Sequence, residues 1–181
     1  AVQILWLNLV TNGIQDIAMA FEAGEPGAMK RKPRKPNEKI FNSQMISQTL
    51  VSGLTIGLIS FSFWYFLLEV QLMDEFQARN INLLLMVLMQ NVHSFNCRSE
   101  FVSVFKIPIS RNYFLVFAIL AAQGLHILCM HLPFMQQILR LTPITLIDWF
   151  EVFILALPIL LVMEIYKKIN ARFLEKKAMA Q

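Results

Sequence analysis

Long stretches without a charged residue limit most strongly how this chain can fold. Asp, Glu, Lys and Arg are absent from Ile40 to Leu68 and from Asn112 to Leu139. About 20 apolar residues are enough for a helix to cross the hydrocarbon core of a bilayer. Only 15% of the residues are charged, whereas soluble domains average about 25%. The sequence therefore predicts an integral membrane protein.

The apolar stretches predict an all-α fold, a polytopic transmembrane helical bundle with five spans. They are too long and too continuously apolar for the strands of a membrane barrel. We expect one transmembrane domain over residues 1–181, with cytoplasmic loops at 22–42 and 99–111 and a cytoplasmic tail at 168–181. The predicted spans are residues 1–21, 43–68, 80–98, 112–132 and 146–167.

The basic residues predict the orientation of these spans. Fourteen of the sixteen Lys and Arg residues fall in the two loops and the tail or, as Arg98 and Lys167 do, at the adjoining span ends, and Arg79 and Arg140 fall on the other side. The positive-inside rule places the fourteen in the cytoplasm. The run KRKPRKP at 30–36 is interpreted as this topology signal, in contact with lipid headgroups and not with nucleic acid. We expect a multi-pass protein of the plasma membrane, with further chain preceding residue 1.

The motifs of soluble enzymes are missing from the sequence. There is no GxxxxGK[ST] or GxGxxG string to hold a nucleotide phosphate. Three His and two Cys residues show no CxxC or HExxH spacing, so no zinc site is predicted. The sequence thus predicts neither catalytic nor cofactor-binding residues in this chain.

A stripe of polar residues runs along the first predicted span. Asn8, Asn12 and Asp16 follow at intervals of four and share one helix face, with Thr11 and Gln15 beside them. Amide, hydroxyl and carboxylate oxygens inside a membrane are ligands for a hard cation or a proton path. The alternative is that these side chains only form hydrogen bonds between helices. Five polar side chains on one face favour the ion path.

Further polar residues are candidates for the same site. Gln90 and His93 lie one turn apart on the third span, although a hydrogen bond between helices is equally expected for Gln90 and favoured for His93. Gly13 weakens the first helix by about 1 kcal/mol relative to Ala, which would permit local unwinding and free backbone carbonyls. Trp6 and His126 are expected at the membrane interface.

Three segments resemble one protein family. The segment LWLNLVTNGIQDIAMAFEAGEPGAMKRKPRKPNEKIF resembles the sixth membrane helix and following loop of P-type cation-transporting ATPases of the calcium-pump and sodium/potassium-pump type. FNCRSEFVSVFKIPISRN resembles the loop after their eighth helix, and LTPITLIDWFEVFILALPILLVMEIYKK resembles their tenth helix and its approach. The order is kept over essentially the whole chain. The resemblance implies helices six to ten of a ten-helix pump.

The resemblance also implies a set of cation ligands. It places ligands at Asn8, Thr11 and Asn12, although the family usually has Asp at the position of Asn12. Asp16, one turn further, is the candidate replacement carboxylate, and Gln90 stands where two-site calcium pumps often carry Glu. We therefore expect a single site or a different ion rather than two calcium sites. Calcium is the favoured ion, with sodium, potassium and protons as alternatives.

The family's ATP-dependent chemistry needs residues that this chain does not contain. Neither the DKTG string that is phosphorylated nor the TGE string that serves dephosphorylation occurs here. ATP and Mg²⁺ are thus expected in upstream cytoplasmic domains, which are the expected partners together with upstream helices, the lipid bilayer and the transported cation. The predicted function is the C-terminal membrane domain of an ATP-driven cation pump. The alternative is a stand-alone truncated or accessory membrane protein without ATP-driven transport.

Overall fold

The computed structural model describes residues 2–24 and 41–179, with side chains up to residue 172. Within these residues the chain forms α-helices, π-helical and 3-10 turns and no strand, so the predicted all-α fold is confirmed. The α-helices are α1 (Val2–Leu7), α2 (Gly13–Met19), α3 (Ser43–Tyr65), α4 (Glu75–Cys97), α5 (Tyr113–His131), α6 (Pro133–Leu139), α7 (Leu146–Ala156) and α8 (Pro158–Met179).

Local sequence signals explain where several of these helices begin and end. The Asn42 side chain accepts the Met45 backbone N–H at 2.7 Å, and Asn112 accepts that of Leu115 at 2.9 Å. Such caps satisfy N–H groups that the first helical turn leaves unpaired. Pro158 lacks a backbone N–H and ends α7. The predicted span at 146–167 is therefore two successive helices.

Three helical stretches in the described residues are long and apolar enough to cross a membrane. They are Ser43–Val70, Ile109–His131 and Leu146–Arg172. The other two predicted spans are helical as well, but their polar side chains lower their mean hydropathy. A helical membrane bundle is therefore shown, whereas the count of five spans stays a prediction.

Helix α4 forms the centre of the bundle. It contacts α1, α3, α5, α7 and α8. Its Leu84, Leu85, Val87 and Met89 side chains are fully buried. The outer helices instead expose large apolar side chains, such as Leu58 on α3, which is 64% exposed. Helix α4, which is less apolar than α3, α5 and α7, thus lies inside, and those apolar helices form the exterior, as a lipid environment requires.

The two ends of the bundle differ in charge as predicted. At one end, Glu22, Arg98, Arg111 and Lys167 lie near one another, linked through contacts with the loop between α4 and α5. We call this the basic end. Arg79 and Arg140 lie at the opposite end. The basic residues of the loop at 30–39 lie outside the described residues, and the cytoplasmic location of the basic end stays a prediction.

Candidate cation site

The first helical segment comprises α1, a π-helical turn and α2, from Val2 to Met19. The polar stripe begins in its widened part. Residues Asn8–Asn12 form a π-helical turn between α1 and α2, and the Gly13 N–H donates to the Asn8 carbonyl. Such turns are rare and occur frequently at functional sites. The Gly13 backbone N–H stays hydrogen-bonded in this wider turn, and the further unwinding that Gly13 would permit stays a prediction. The wider turn displaces the stripe from ordinary α-helical register.

Oxygen atoms surround the Thr11 hydroxyl at this turn. Its Oγ1 lies 2.7 Å from the Leu7 carbonyl oxygen and 3.3 Å from Asn12 Oδ1, and it also contacts Gln90 Oε1. A hydroxyl has one proton and can donate to one acceptor at a time. Thr11 is fully buried. The result is a buried, oxygen-rich point where the first helical segment meets α4.

A cleft of about 250 Å³ opens beside this point, between α2, α3 and α4. Asn12, Asp16, Gln90 and His93 are among its lining residues. Asp16 supplies its carboxylate, and His93 Nδ1 has no hydrogen-bond partner among the described residues. The sequence analysis favoured a hydrogen bond between helices for His93, and His93 Nδ1 does not form one with the described residues.

All five predicted ligands belong to one continuous group. Asn12, Asp16 and Gln90 line the cleft, and Thr11 contacts both Asn12 and Gln90. Asn8 lies outside the cleft, where its Oδ1 accepts a hydrogen bond from Asn12 Nδ2 at 3.3 Å. The described residues contain no group of three or more His, Cys, Asp or Glu suited to a metal ion. Amide and hydroxyl oxygens would therefore supply most of the ligands that this chain offers.

Gln15 has a different role from the rest of the stripe. Its Nε2 donates to Asn91 Oδ1, and Asn91 Nδ2 donates to Gln123 Oε1 at 2.9 Å. Ser94 Oγ donates to Gln15 Oε1. This network joins α2, α4 and α5, so Gln15 forms hydrogen bonds between helices, and it also lines the cleft. The sequence analysis did not single out Gln123 or Ser94 as members of this network.

An ion-pair cluster fixes the end of α2 at the basic end. Arg98 donates to both Glu22 carboxylate oxygens at 2.9 and 3.0 Å, and Arg111 Nε lies 3.6 Å from Glu22. Burial raises the pKa of Glu22, but hydrogen bonds from Arg98 and Asn112 and the two arginine charges outweigh it, so the pKa is lowered. Glu22 is therefore ionised and holds the first helical segment against the loop after α4.

Trp6 and His126 form a buried pair that the sequence analysis did not predict. The Trp6 indole N–H donates to His126 Nδ1 at 3.0 Å, and both side chains are buried between α1 and α5. The two side chains therefore pair inside the bundle, and their location at the depth of the membrane interface stays a prediction. An indole N–H needs an acceptor once it is buried, and the imidazole on the neighbouring helix provides it.

The sequence comparisons identify the family. Residues 1–169 match the family described as cation transporting ATPase, C-terminus. The chain belongs to this family. A calcium-transporting ATPase of Bacillus subtilis is 33% identical over 82% of this chain and 16% of its own length. A calcium-transporting ATPase of Plasmodium falciparum is 27% identical over 97% of this chain and 18% of its own length. The endoplasmic reticulum calcium ATPase srcA of Aspergillus fumigatus is 24% identical over 99% of this chain and 22% of its own length.

These matches confirm the resemblance seen in the three sequence segments. The chain is similar to the C-terminal membrane region of P-type cation-transporting ATPases over most of its length. It spans less than a quarter of the length of these curated relatives.

Proposed function

We propose that this chain is the C-terminal membrane domain of an ATP-driven cation pump and supplies part of its cation site. The ligands that we assign are Asn8, Thr11, Asn12, Asp16 and Gln90. The observation that carries the assignment is the convergence of oxygens from two helices around Thr11, next to a cleft that contains a carboxylate. Hard cations bind such mixed oxygen ligands.

Calcium is the cation that we assign to the site, with sodium, potassium or protons as the alternatives. The relatives are named calcium-transporting ATPases, which supports calcium. Asp16 is the one carboxylate in the assigned set, and the other ligands are neutral. One carboxylate from this chain fits a single cation better than two calcium ions, because each divalent ion favours several negative ligands.

The assigned stripe also needs a cover that the described residues do not provide. Asn8, Asn12 and Asp16 are exposed on the surface of the bundle. A carboxylate facing hydrocarbon is costly by about 2.5 kcal/mol or more. We therefore infer that upstream helices of the same pump pack against this face and complete the site. The upstream cytoplasmic domains would bind ATP and Mg²⁺.

The test is cation-stimulated ATP hydrolysis by the full-length protein. Asn12→Ala and Asp16→Asn are expected to raise the cation concentration for half-maximal activity by at least about tenfold, because each removes a ligand oxygen or its charge. Asp74→Asn is the matched control, since Asp74 caps α4 away from the cleft and Asn caps equally well. Wild-type cation dependence in both site variants would refute the assignment.

The mass of the native polypeptide separates this function from the stand-alone alternative. An immunoblot of host membranes with an antibody against the C-terminal residues is expected to show a band several-fold larger than 20.9 kDa. A band at 20.9 kDa would instead favour a separate membrane protein, because the chain would then lack the ATP-binding domains.

A further inference from the structure

A second cavity lies at the basic end, away from the cation site. It has a volume of about 540 Å³ and opens between α8 and the loop that contains the 3-10 turn Val104–Lys106. Its walls combine basic and apolar side chains. They include Lys106, Lys167, Lys168, Phe105, Leu161 and Ile165.

The charged part of this cavity is positive. Three lysines face one carboxylate, that of Glu164. Glu164 Oε1 accepts the Val104 backbone N–H at 2.8 Å, and Lys167 Nζ donates to the Val102 carbonyl at 3.2 Å. These two bonds hold the loop against α8. Lys106 and Lys168 are exposed at the rim, so their ammonium groups can reach an anion.

The remaining wall is apolar and continues along the outside of the bundle. Phe105, Leu161 and Ile165 are 74%, 61% and 57% exposed. Leu161 precedes Lys168 by seven residues, which is about 10 Å along a helix, and it lies within the apolar stretch Leu146–Arg172. The cavity is thus cationic at the end of the bundle and apolar in the direction of the hydrocarbon core.

We propose that this cavity binds a phospholipid with an anionic headgroup, such as phosphatidylglycerol. Lys106 and Lys168 would pair with the headgroup, and Leu161, Ile165 and Phe105 would contact an acyl chain. A soluble anion would use the lysines but leave the exposed apolar wall uncovered. Basic pockets beside membrane helices favour anionic headgroups because the charge attraction adds to acyl-chain burial.

The test measures lipid binding by the purified full-length protein in neutral detergent, using native mass spectrometry. Phosphatidylglycerol and phosphatidylcholine are titrated separately, and glycerol 3-phosphate serves as the soluble competitor. Lys106→Gln/Lys168→Gln is expected to raise the dissociation constant for phosphatidylglycerol about thirtyfold, from about fivefold for each lysine near an anionic surface. Phosphatidylcholine is expected to bind weakly to both proteins. Phe105→Ser should weaken the binding of phosphatidylglycerol but not that of glycerol 3-phosphate, because only the lipid has an acyl chain.

Arg79→Gln/Arg140→Gln is the matched control, because it removes the same charge at the opposite end of the bundle. It should leave phosphatidylglycerol binding close to wild type. Equal losses in the two double variants would overturn the proposal, because the effect would then come from overall charge. Displacement of the lipid by glycerol 3-phosphate, or equal binding of the two lipids, would overturn it too. Unchanged melting temperatures in phosphatidylcholine show that the variants are folded.

Discussion

The ion pair between Glu22 and Arg98 offers a direct measure of what holds the first helical segment in place. We consider Glu22→Gln, which keeps the shape of the side chain and removes its charge. Arg98 and Glu22 side chains are 2% and 9% exposed, and the pair is bidentate. Arg98 also donates to the Pro108 carbonyl at 3.1 Å. The variant therefore leaves a buried guanidinium with fewer partners.

The size of the effect follows from these contacts. Removing one partner of a buried ion pair costs about 3–5 kcal/mol, because the other charge stays buried and unpaired. Gln can still accept one bond from Arg98, and the Pro108 carbonyl remains in place. We therefore expect the free energy of unfolding to fall by about 2–3 kcal/mol. Arg111 Nε lies 3.6 Å from Glu22 Oε1, so the loss of this second ion pair lowers the stability by a smaller amount.

The assay is denaturant unfolding of the full-length protein in detergent micelles. Glu75→Gln is the matched control, because it breaks an Arg–Glu pair within α4 whose side chains are 53% and 59% exposed. Exposed pairs of this kind contribute about 0.3–0.5 kcal/mol. Equal losses in the two variants would refute the reasoning that burial makes the Glu22 pair important.

The pH dependence gives an independent check. The folded-state pKa of Glu22 is lowered below its ordinary value of 4.5. Its contribution to stability is therefore complete above pH 4.5 and is lost as the pH falls through the folded-state pKa. The difference between wild type and Glu22→Gln should shrink in that acidic range. A difference that stayed constant there would show that charge is not its cause.

Two further variants test contacts between the helices. Asn91→Leu should lower stability by about 1–3 kcal/mol, because Gln15 Nε2 and Gln123 Oε1 each lose their hydrogen-bond partner. Asn82→Leu on the same helix should not, since Asn82 Oδ1 has no hydrogen bond in the described residues. Trp6→Phe should cost about 1 kcal/mol through loss of the bond to His126. Thermal unfolding measures the stability of these variants. An equal loss of stability in Trp64→Phe would contradict the prediction for Trp6→Phe.

The helical segments could be predicted from the sequence because uncharged stretches and helix caps are local features. The predicted span 43–68 corresponds to α3 and its π-helical extension to Val70, and the span 112–132 corresponds to α5. The break at Leu157 was missed, although Pro158 was visible in the sequence, because the apolar stretch continues on both sides of the proline. Such interruptions do not change the hydropathy of a segment.

Contacts between helices could be predicted only in part. The four-residue spacing brought neighbouring members of the stripe together, since Asn12 contacts Asn8 and lines the cleft with Asp16, because this depends on the geometry of a single helical segment. The pairing of Asn91 with Gln123, and of Trp6 with His126, depends on how two helices are rotated against each other. Periodicity within either helix carries no information about that rotation. The π-helical turn at Asn8–Asn12 adds a shift that an ideal helix does not contain.

The same polar residues explain why hydropathy identifies fewer spans than the pattern of charges. The residues Val2–Met19 and α4 are helical but less apolar than the other three stretches. They are also the segments that bring Thr11 and Gln90 together. Amide groups that form a cation site or a buried network must lower the hydropathy of the helices that carry them. A span that binds an ion inside the membrane is therefore harder to recognise by hydropathy than one that only contacts lipid.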